Sequence, residues 1–350
     1  SINIFSIIVD KEGNLIFGTG RGVYKYYKRI GFVNITKKQA INNFPIYTII
    51  QDSKNNYWFG SYGGGVTKYN PKGHPDYQFT NFTIDEGLSN NRIRTMMEDK
   101  EGNMWFGTDG GGVCMLTKEN IYEQSKERSE YQFINFTSSE GLCSDDLLSI
   151  FQDREGNIWF GTDGAGVCKF ETRRFSIFST REGLVHNMVF SIIEDRSGNY
   201  WFGTYGGISK YDPVKSHYTN YSVIDGLIHN QVRQIIEDRK GNIWITTRGG
   251  VSKLLKSKSS RSFPIFINYA ETDTCPDGSI NCIGGLSNNL VYSVLEDRLG
   301  NIWFGTYGGG VTKLNVNENK NEAYSPHYTY YTVEDGLVNN TVRDIYQDSK

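Results

Sequence analysis

The feature that most limits what this chain can become is a repeat. The stretch Asp99-Lys-Glu-Gly-Asn-Met-Trp-Phe-Gly-Thr-Asp-Gly-Gly-Gly-Val113 has close copies beginning at Asp10, Asp52, Asp153, Asp195, Asp238 and Asp297. Aligned on the asparagine, they put Asn14, Asn56, Asn103, Asn157, Asn199, Asn242 and Asn301 at one register, with gaps of 42, 47, 54, 42, 43 and 59 residues. A unit of this length, lengthened in places by insertions, matches the blade of a β-propeller, whose repeat is four short antiparallel strands. The predicted fold is all-β: a seven-bladed β-propeller of four-stranded antiparallel blades. The blades fall at about 3–41, 42–88, 89–142, 143–184, 185–227, 228–286 and 287–337, one propeller over 1–338.

Blade five shows the four strands. An apolar run, Val189-Phe-Ser-Ile-Ile193, ends in Glu-Asp; a turn, Arg-Ser-Gly-Asn, leads to Tyr200-Trp-Phe-Gly-Thr204. A glycine turn leads to Ile208-Ser-Lys-Tyr211, and Tyr218-Thr-Asn-Tyr-Ser222 closes the unit before Asp-Gly-Leu carries the chain onward. Asp195 can bond backbone N–H groups of the turn, while Gly198 and Asn199 tolerate positive φ. The composition agrees, with 39 Gly, 23 Tyr and 20 Phe against 7 Pro, as short strands and tight turns require. Trp58, Trp105, Trp159, Trp201, Trp244 and Trp303 share one register, with Ile16 in that place in blade one. A functional tryptophan would not be needed six times, so these are packing residues between blades.

Connectivity gives each blade a bottom end, with the turns one-to-two and three-to-four, and a top end, with the turns two-to-three and the crossovers. The bottom Asp-x-x-Gly-Asn turns hardly vary. The top varies: after strand two come Gly20, Tyr62, Asp109, Asp163, Tyr205, Arg248 and Tyr307, and near the start of strand one come Phe5, Tyr47, Arg94, Leu148, Phe190, Arg233 and Tyr292. The crossovers add Asn90-Asn91, Asp145-Asp146, His186-Asn187, His229-Asn230 and Asn288-Asn289. Aromatic faces beside Asn, Asp and Arg suit a polar, ring-shaped ligand such as a sugar. The plainer reading is that the Asn pairs cap turns and the arginines are solvated. The candidate ligand-binding set is Tyr47, Tyr62, Arg94, Asp109, Asp163, His186, Phe190, Tyr205, His229, Arg233, Arg248, Tyr292 and Tyr307.

Cys114 and Cys168 occupy equivalent positions and read as buried, inert thiols, and Cys143 lies in a connecting loop. In the sixth blade an insertion, Asp273-Thr-Cys-Pro-Asp-Gly-Ser-Ile-Asn-Cys282, lengthens a top crossover, and Cys275 and Cys282 are the disulfide candidates that would staple it. Further insertions at Asn70–Tyr77, Thr117–Tyr131 and Asn315–His327 fall at the bottom. Residues 339–350 begin another repeat and stop before its Gly-Asn-Trp, as expected of a fragment of a longer protein.

Several chemistries lack their residues. A net charge of −2 gives nucleic acid or an anionic membrane no electrostatic footing. No run approaches the roughly 18 apolar residues that span a bilayer. There is no His-Glu-x-x-His, nucleophile elbow or phosphate loop, and Gly18-Thr-Gly20-Arg-Gly22 has the wrong spacing for a dinucleotide fingerprint. The recurring Asp-Lys-Glu-Gly-Asn lacks the bidentate acid of a calcium loop. His186 and His229 sit at equivalent top positions, where a metal or acid–base site is conceivable, but turn histidines more often face solvent. The expectation is no catalytic residue, no metal and no cofactor.

The consensus Val-x-Ser-Ile-x-Glu-Asp-x-x-Gly-Asn-Ile-Trp-Phe-Gly-Thr-x-Gly-Gly-Val-x-Lys, followed by Phe/Tyr-x-x-Phe/Tyr-Thr and Glu/Asp-Gly-Leu, resembles the two-component regulator propeller family along essentially the whole chain. The resemblance implies a periplasmic or extracellular sensor region of a hybrid histidine kinase, with a polar ligand such as an oligosaccharide and homodimers formed through neighbouring domains. Any kinase would lie outside this chain. The alternatives are a propeller enzyme similar to streptogramin lyases, whose His, acid and magnesium have no matching His–Glu pair here, and a protein-interaction scaffold.

Overall fold

The computed structural model describes residues 4–27, 31–37, 40–122, 131–171, 174–256, 264–275, 282–315, 327–337 and 339–345. Most of the Thr117–Tyr131 and Asn315–His327 insertions, residues 276–281 of the sixth-blade insertion and the end of the tail lie outside them. The strands form seven antiparallel sheets, each ordered one-two-three-four along the chain, so the fold is a seven-bladed β-propeller. Blade six differs in having a fifth strand, Cys282–Ile283, which runs parallel to strand four, Phe266–Tyr269. The chain divides into two compact units: Ile2–Ser179 with the first four blades and Thr180–Gln347 with the last three.

Each bottom turn is built around one carboxylate. Asp195 accepts the N–H groups of Ser197 and Asn199 and the Asn199 amide, and Trp201 Nε1 donates to its second oxygen at 2.9 Å. The same Trp-to-Asp bond, 2.8–2.9 Å long, joins Trp58 to Asp52, Trp105 to Asp99, Trp159 to Asp153, Trp244 to Asp238 and Trp303 to Asp297. A buried carboxylate is tolerable only when its lone pairs are filled, so each Trp satisfies the turn while its ring fills the core. Blade one has Ile16 instead of Trp, and there Tyr57 Oη (2.7 Å) and Lys25 Nζ (2.9 Å) bond Asp10. Burial pushes the Asp10 carboxyl up, but the bonds from Lys25, Asn14 and Tyr57 outweigh it and hold the group at about 2.

Neighbouring blades within each unit join at two levels. The rings pack across blades: Trp58 lies 5.7 Å from Phe106, Trp105 5.8 Å from Phe160 and Trp244 5.9 Å from Phe304. The acid or amide ending strand one also latches onto the previous turn, Gln51 accepting from Lys11 N–H, Glu98 from Ser53 N–H and Glu296 from Arg239 N–H. The strand-two glycine gives room for this stacking: a Cβ on Gly203 would come within 2.7 Å of Cγ1 of Val232, the first residue of strand one in the next blade. The described tail repeats the arrangement, with Val342 Cγ1 3.1 Å from where Gly305 would carry a Cβ and with Val342 itself buried.

Two cysteine findings bear on the scaffold. Cys168 is not a free thiol: it is joined to Cys143, with Cα atoms 6.0 Å apart. Cys143 N–H also points at Cys168 Sγ, as Val185 N–H points at Ser209 Oγ and Ser287 N–H at Thr312 Oγ1, so strand three presents a polar atom to the crossover in several blades. At the same place in blade three, Ser89 faces Cys114, which remains a buried free thiol whose pKa burial raises. Cys275 and Cys282 form a second disulfide, Cα atoms 5.2 Å apart, at the base of the blade-six insertion.

Candidate functional site

The pairing of strands one and two shifts register once in every blade, always at the same place. The shifts lie between Ile4 and Ser6, Ile46 and Thr48, Leu147 and Ser149, Val189 and Ser191, Val232 and Gln234, and Val291 and Ser293; in blade three, Ile93 and Thr95 flank it. The residue left over is Phe5, Tyr47, Arg94, Leu148, Phe190, Arg233 or Tyr292. These are the variable residues near the start of strand one, and each sits on a β-bulge, which takes a side chain out of the alternation and re-aims it. The residue after strand two is pinned beside it by its own N–H: Tyr62 to Pro45 O, Asp109 to Arg92 O, Tyr205 to Met188 O, Arg248 to Gln231 O and Tyr307 to Leu290 O. Every blade but the first, where Gly20 follows strand two, thus presents two adjacent side chains on a fixed backbone.

In the first unit these pairs meet side by side. Phe5 stacks on Tyr47 at 4.9 Å, and Tyr47 lies 5.2 Å from Tyr62. The guanidinium groups of Arg92 and Arg94 each lie 5.5 Å from the Tyr62 ring. Asp109 closes the row, accepting the Tyr62 hydroxyl at 2.5 Å and pairing with Arg94 at 3.4 Å and Arg92 at 4.0 Å. Its neighbour in register, Asp163, is exposed, and among the described residues no hydrogen bond or ion pair ties its carboxylate to the row.

In the second unit the row is Phe190, Arg233, Tyr292 and Arg343. The Arg233 guanidinium lies 4.9 Å from the Phe190 ring and 5.7 Å from that of Tyr292, and the Arg343 guanidinium lies 5.2 Å from the Tyr292 ring. Tyr307 meets Tyr292 edge-on at 6.2 Å. Arg233 Nε is buried with no hydrogen-bond partner among the described residues. Burial, with Arg248 and Arg343 nearby, holds the Arg233 pKa below its ordinary value against the opposite pull of Tyr292. Arg92 and Arg343 were not in the candidate set, although Arg343 follows Val342 as Arg233 follows Val232.

The crossover polar residues have structural work. Asn90, His186, His229 and Asn288 each accept the N–H two residues on, the histidines through Nδ1 at 3.0 Å. Asn91, Asp145, Asn187, Asn230 and Asn289 reach back to accept a backbone N–H at the start of the same crossover, just after strand four. An accepting Nδ1 is unprotonated; burial and then Arg248 push the His229 pKa down, which favours that form. His186 lies 5.6 Å from Tyr205. Among the described residues no three His, Cys, Asp or Glu side chains are grouped to share a metal ion.

Comparison with known proteins agrees with this architecture. The sequence model of the family described as two component regulator propeller matches residues 40–63, 87–110, 141–164, 183–206, 226–249 and 285–308. No curated protein sequence matches the chain. Among solved structures, the extracellular domain of the hybrid two-component system BT3049 from B. thetaiotaomicron is 25% identical over 99% of this chain and 42% of its own, with a TM-score of 0.48. The extracellular domain of the one-component system BT4673 from the same organism is 19% identical over 94% of this chain and 49% of its own, with a TM-score of 0.54. This chain therefore spans less than half the length of either domain. Virginiamycin B lyase from Staphylococcus aureus is 13% identical over 86% of this chain and 90% of its own, with a TM-score of 0.59, a likeness of fold. Six matched repeats, five holding the Asp-x-x-Gly-Asn turn and the first Asp52-Ser-Lys-Asn-Asn56 in its place, are the specific signal, and the chain belongs to the two-component regulator propeller family.

Proposed function

We propose that this propeller is a non-catalytic ligand-binding module, the extracytoplasmic sensing part of a two-component signalling protein, and that it takes a polar ring-shaped ligand such as an oligosaccharide. The observation that carries the reading is the bulge: the scaffold repeats in every blade, while side chains outside its alternation differ from blade to blade and meet in rows of aromatic and guanidinium groups. Such rows stack on sugar C–H faces and donate to hydroxyls. Two disulfides suit an oxidising compartment, and the sensor domains above are extracellular. The lyase reading rests on fold likeness alone, and both top histidines use Nδ1 to fasten turns. Calorimetric titration of the whole chain against neutral and acidic oligosaccharides tests the proposal. Saturable heat with at least one is expected, and no heat from any at millimolar concentration overturns it.

A further inference from the structure

Arg233 is an unusual residue to leave as the structure leaves it. Its guanidinium is held between the rings of Phe190 and Tyr292, its Nε is buried without a partner, and among the described residues no carboxylate pairs with it. Arg248, pinned beside it by the Gln231 carbonyl, adds a second positive charge and donates at 3.4 Å to the neutral Gln231 side chain, with no carboxylate paired to it among the described residues. Arg343 adds a third, 5.2 Å from the same Tyr292 ring. Like charges repel, and a half-buried guanidinium loses hydration that its two aromatic neighbours only partly replace. The fold can neutralise such charge internally: in blade three Arg94 stands where Arg233 does, its Nε equally without a partner, but Asp109 stands where Arg248 does and pairs with Arg94 and with Arg92. In blade six it does not.

We propose that the Phe190–Arg233–Tyr292–Arg343 row is an anion-recognition subsite, and that its ligand is an acidic sugar whose carboxylate or sulfate meets Arg233 and Arg248 while its ring lies against the tyrosines. This rests on the ligand-sensor reading and narrows it to one ligand class. A planar, forked donor is suited to both acid groups. The missing counter-charge is then supplied by the ligand, and binding weakens with salt as the attraction is screened.

The test titrates the whole chain with trigalacturonate, a sulfated galactan oligomer and neutral galactotriose. At least one acidic probe is expected to bind about tenfold or more tightly than the neutral one, and which acid wins identifies the group. Arg233→Gln is expected to weaken that binding about tenfold, consistent with loss of a charge-assisted hydrogen bond. Arg343→Gln, outside every strand, is expected to weaken it too, with unchanged thermal melting as the check that the fold is intact. Equal binding of neutral and acidic probes, unaffected by Arg233→Gln, overturns the acid assignment and leaves the sensor reading standing. Polyglutamate binding as tightly as the acidic sugars overturns the sugar assignment. No binding by any probe overturns both.

Discussion

In blade three the bulge residue is Arg94 and its pinned neighbour is Asp109; in blade six the same two positions hold Arg233 and Arg248. The backbone does the same thing in both places, and each arginine keeps a buried Nε without a partner, yet one blade sets a carboxylate beside its guanidinium and the other a second guanidinium. The energies explain how both survive in one protein. A partly exposed Arg–Asp pair contributes about 1 kcal/mol or less, while each aromatic face beside Arg233 contributes about 0.5–2 kcal/mol. Stacking can therefore stand in for an ion pair without disturbing the scaffold, which frees the pair to be chosen for something other than stability.

Four measurements press on that comparison. The largest effect tests whether the scaffold is equivalent in the two units. Trp105→Ala and Trp244→Ala should each cost about 3–5 kcal/mol in denaturant unfolding, because each empties a buried ring site and strips a donor from a buried carboxylate. A cost in one unit far below the other would show that the blades do not share a framework. Next, Asp109→Arg copies the blade-six arrangement into blade three and should lower stability by about 1–2 kcal/mol in the same assay, since Tyr62 and two arginines lose their common acceptor. The reverse swap, Arg248→Asp, gives Arg233 an internal partner; stability should rise by about 0.5 kcal/mol while affinity for an acidic oligosaccharide falls. An unchanged affinity would mean the two blades differ in charge without differing in role.

The smallest effect concerns pH. His229 has its pKa pushed down by burial and by Arg248, so the folded state favours the neutral ring. As pH falls through the ordinary histidine value the unfolded chain takes up the proton first, so the stability this group supplies is present above that value and is lost below it. The unfolding free energy should fall by less than about 1 kcal/mol between pH 7.5 and 5, and His229→Asn, which copies the Asn90 cap of blade three, should flatten that slope.

Much of this was legible from the repeat, because periodicity in residue type reports periodicity in packing. The tryptophan register predicted rings between blades, and Trp58, Trp105 and Trp244 lie there. The Trp-to-Asp bond was not foreseen, although both residues stand in the consensus, because six positions along a hairpin become neighbours only once its turn is folded. The Cys143–Cys168 bond was missed for a related reason: its partners are 25 residues apart, one on a crossover and one on strand three. Sequence variation picked out the positions after strand two and near the start of strand one, but it could not separate Tyr62, Asp109 and Arg233, which join rows, from Asp163, which does not. Nor could it show that His186 and His229 replace asparagine as turn acceptors, since the residue types look like chemistry and the hydrogen bonds make them brackets.

The bulge has a consequence for how such a protein can change. A side chain within a strand's alternation belongs to one face or the other, and exchanging it alters a packed layer. A bulge residue belongs to neither, so Phe, Tyr, Arg or Leu can occupy it without shifting the strand beneath. Each blade therefore offers one socket in which mutation can rewrite what the surface greets at little risk to folding, and a line of such sockets lets a lineage explore new ligands one substitution at a time.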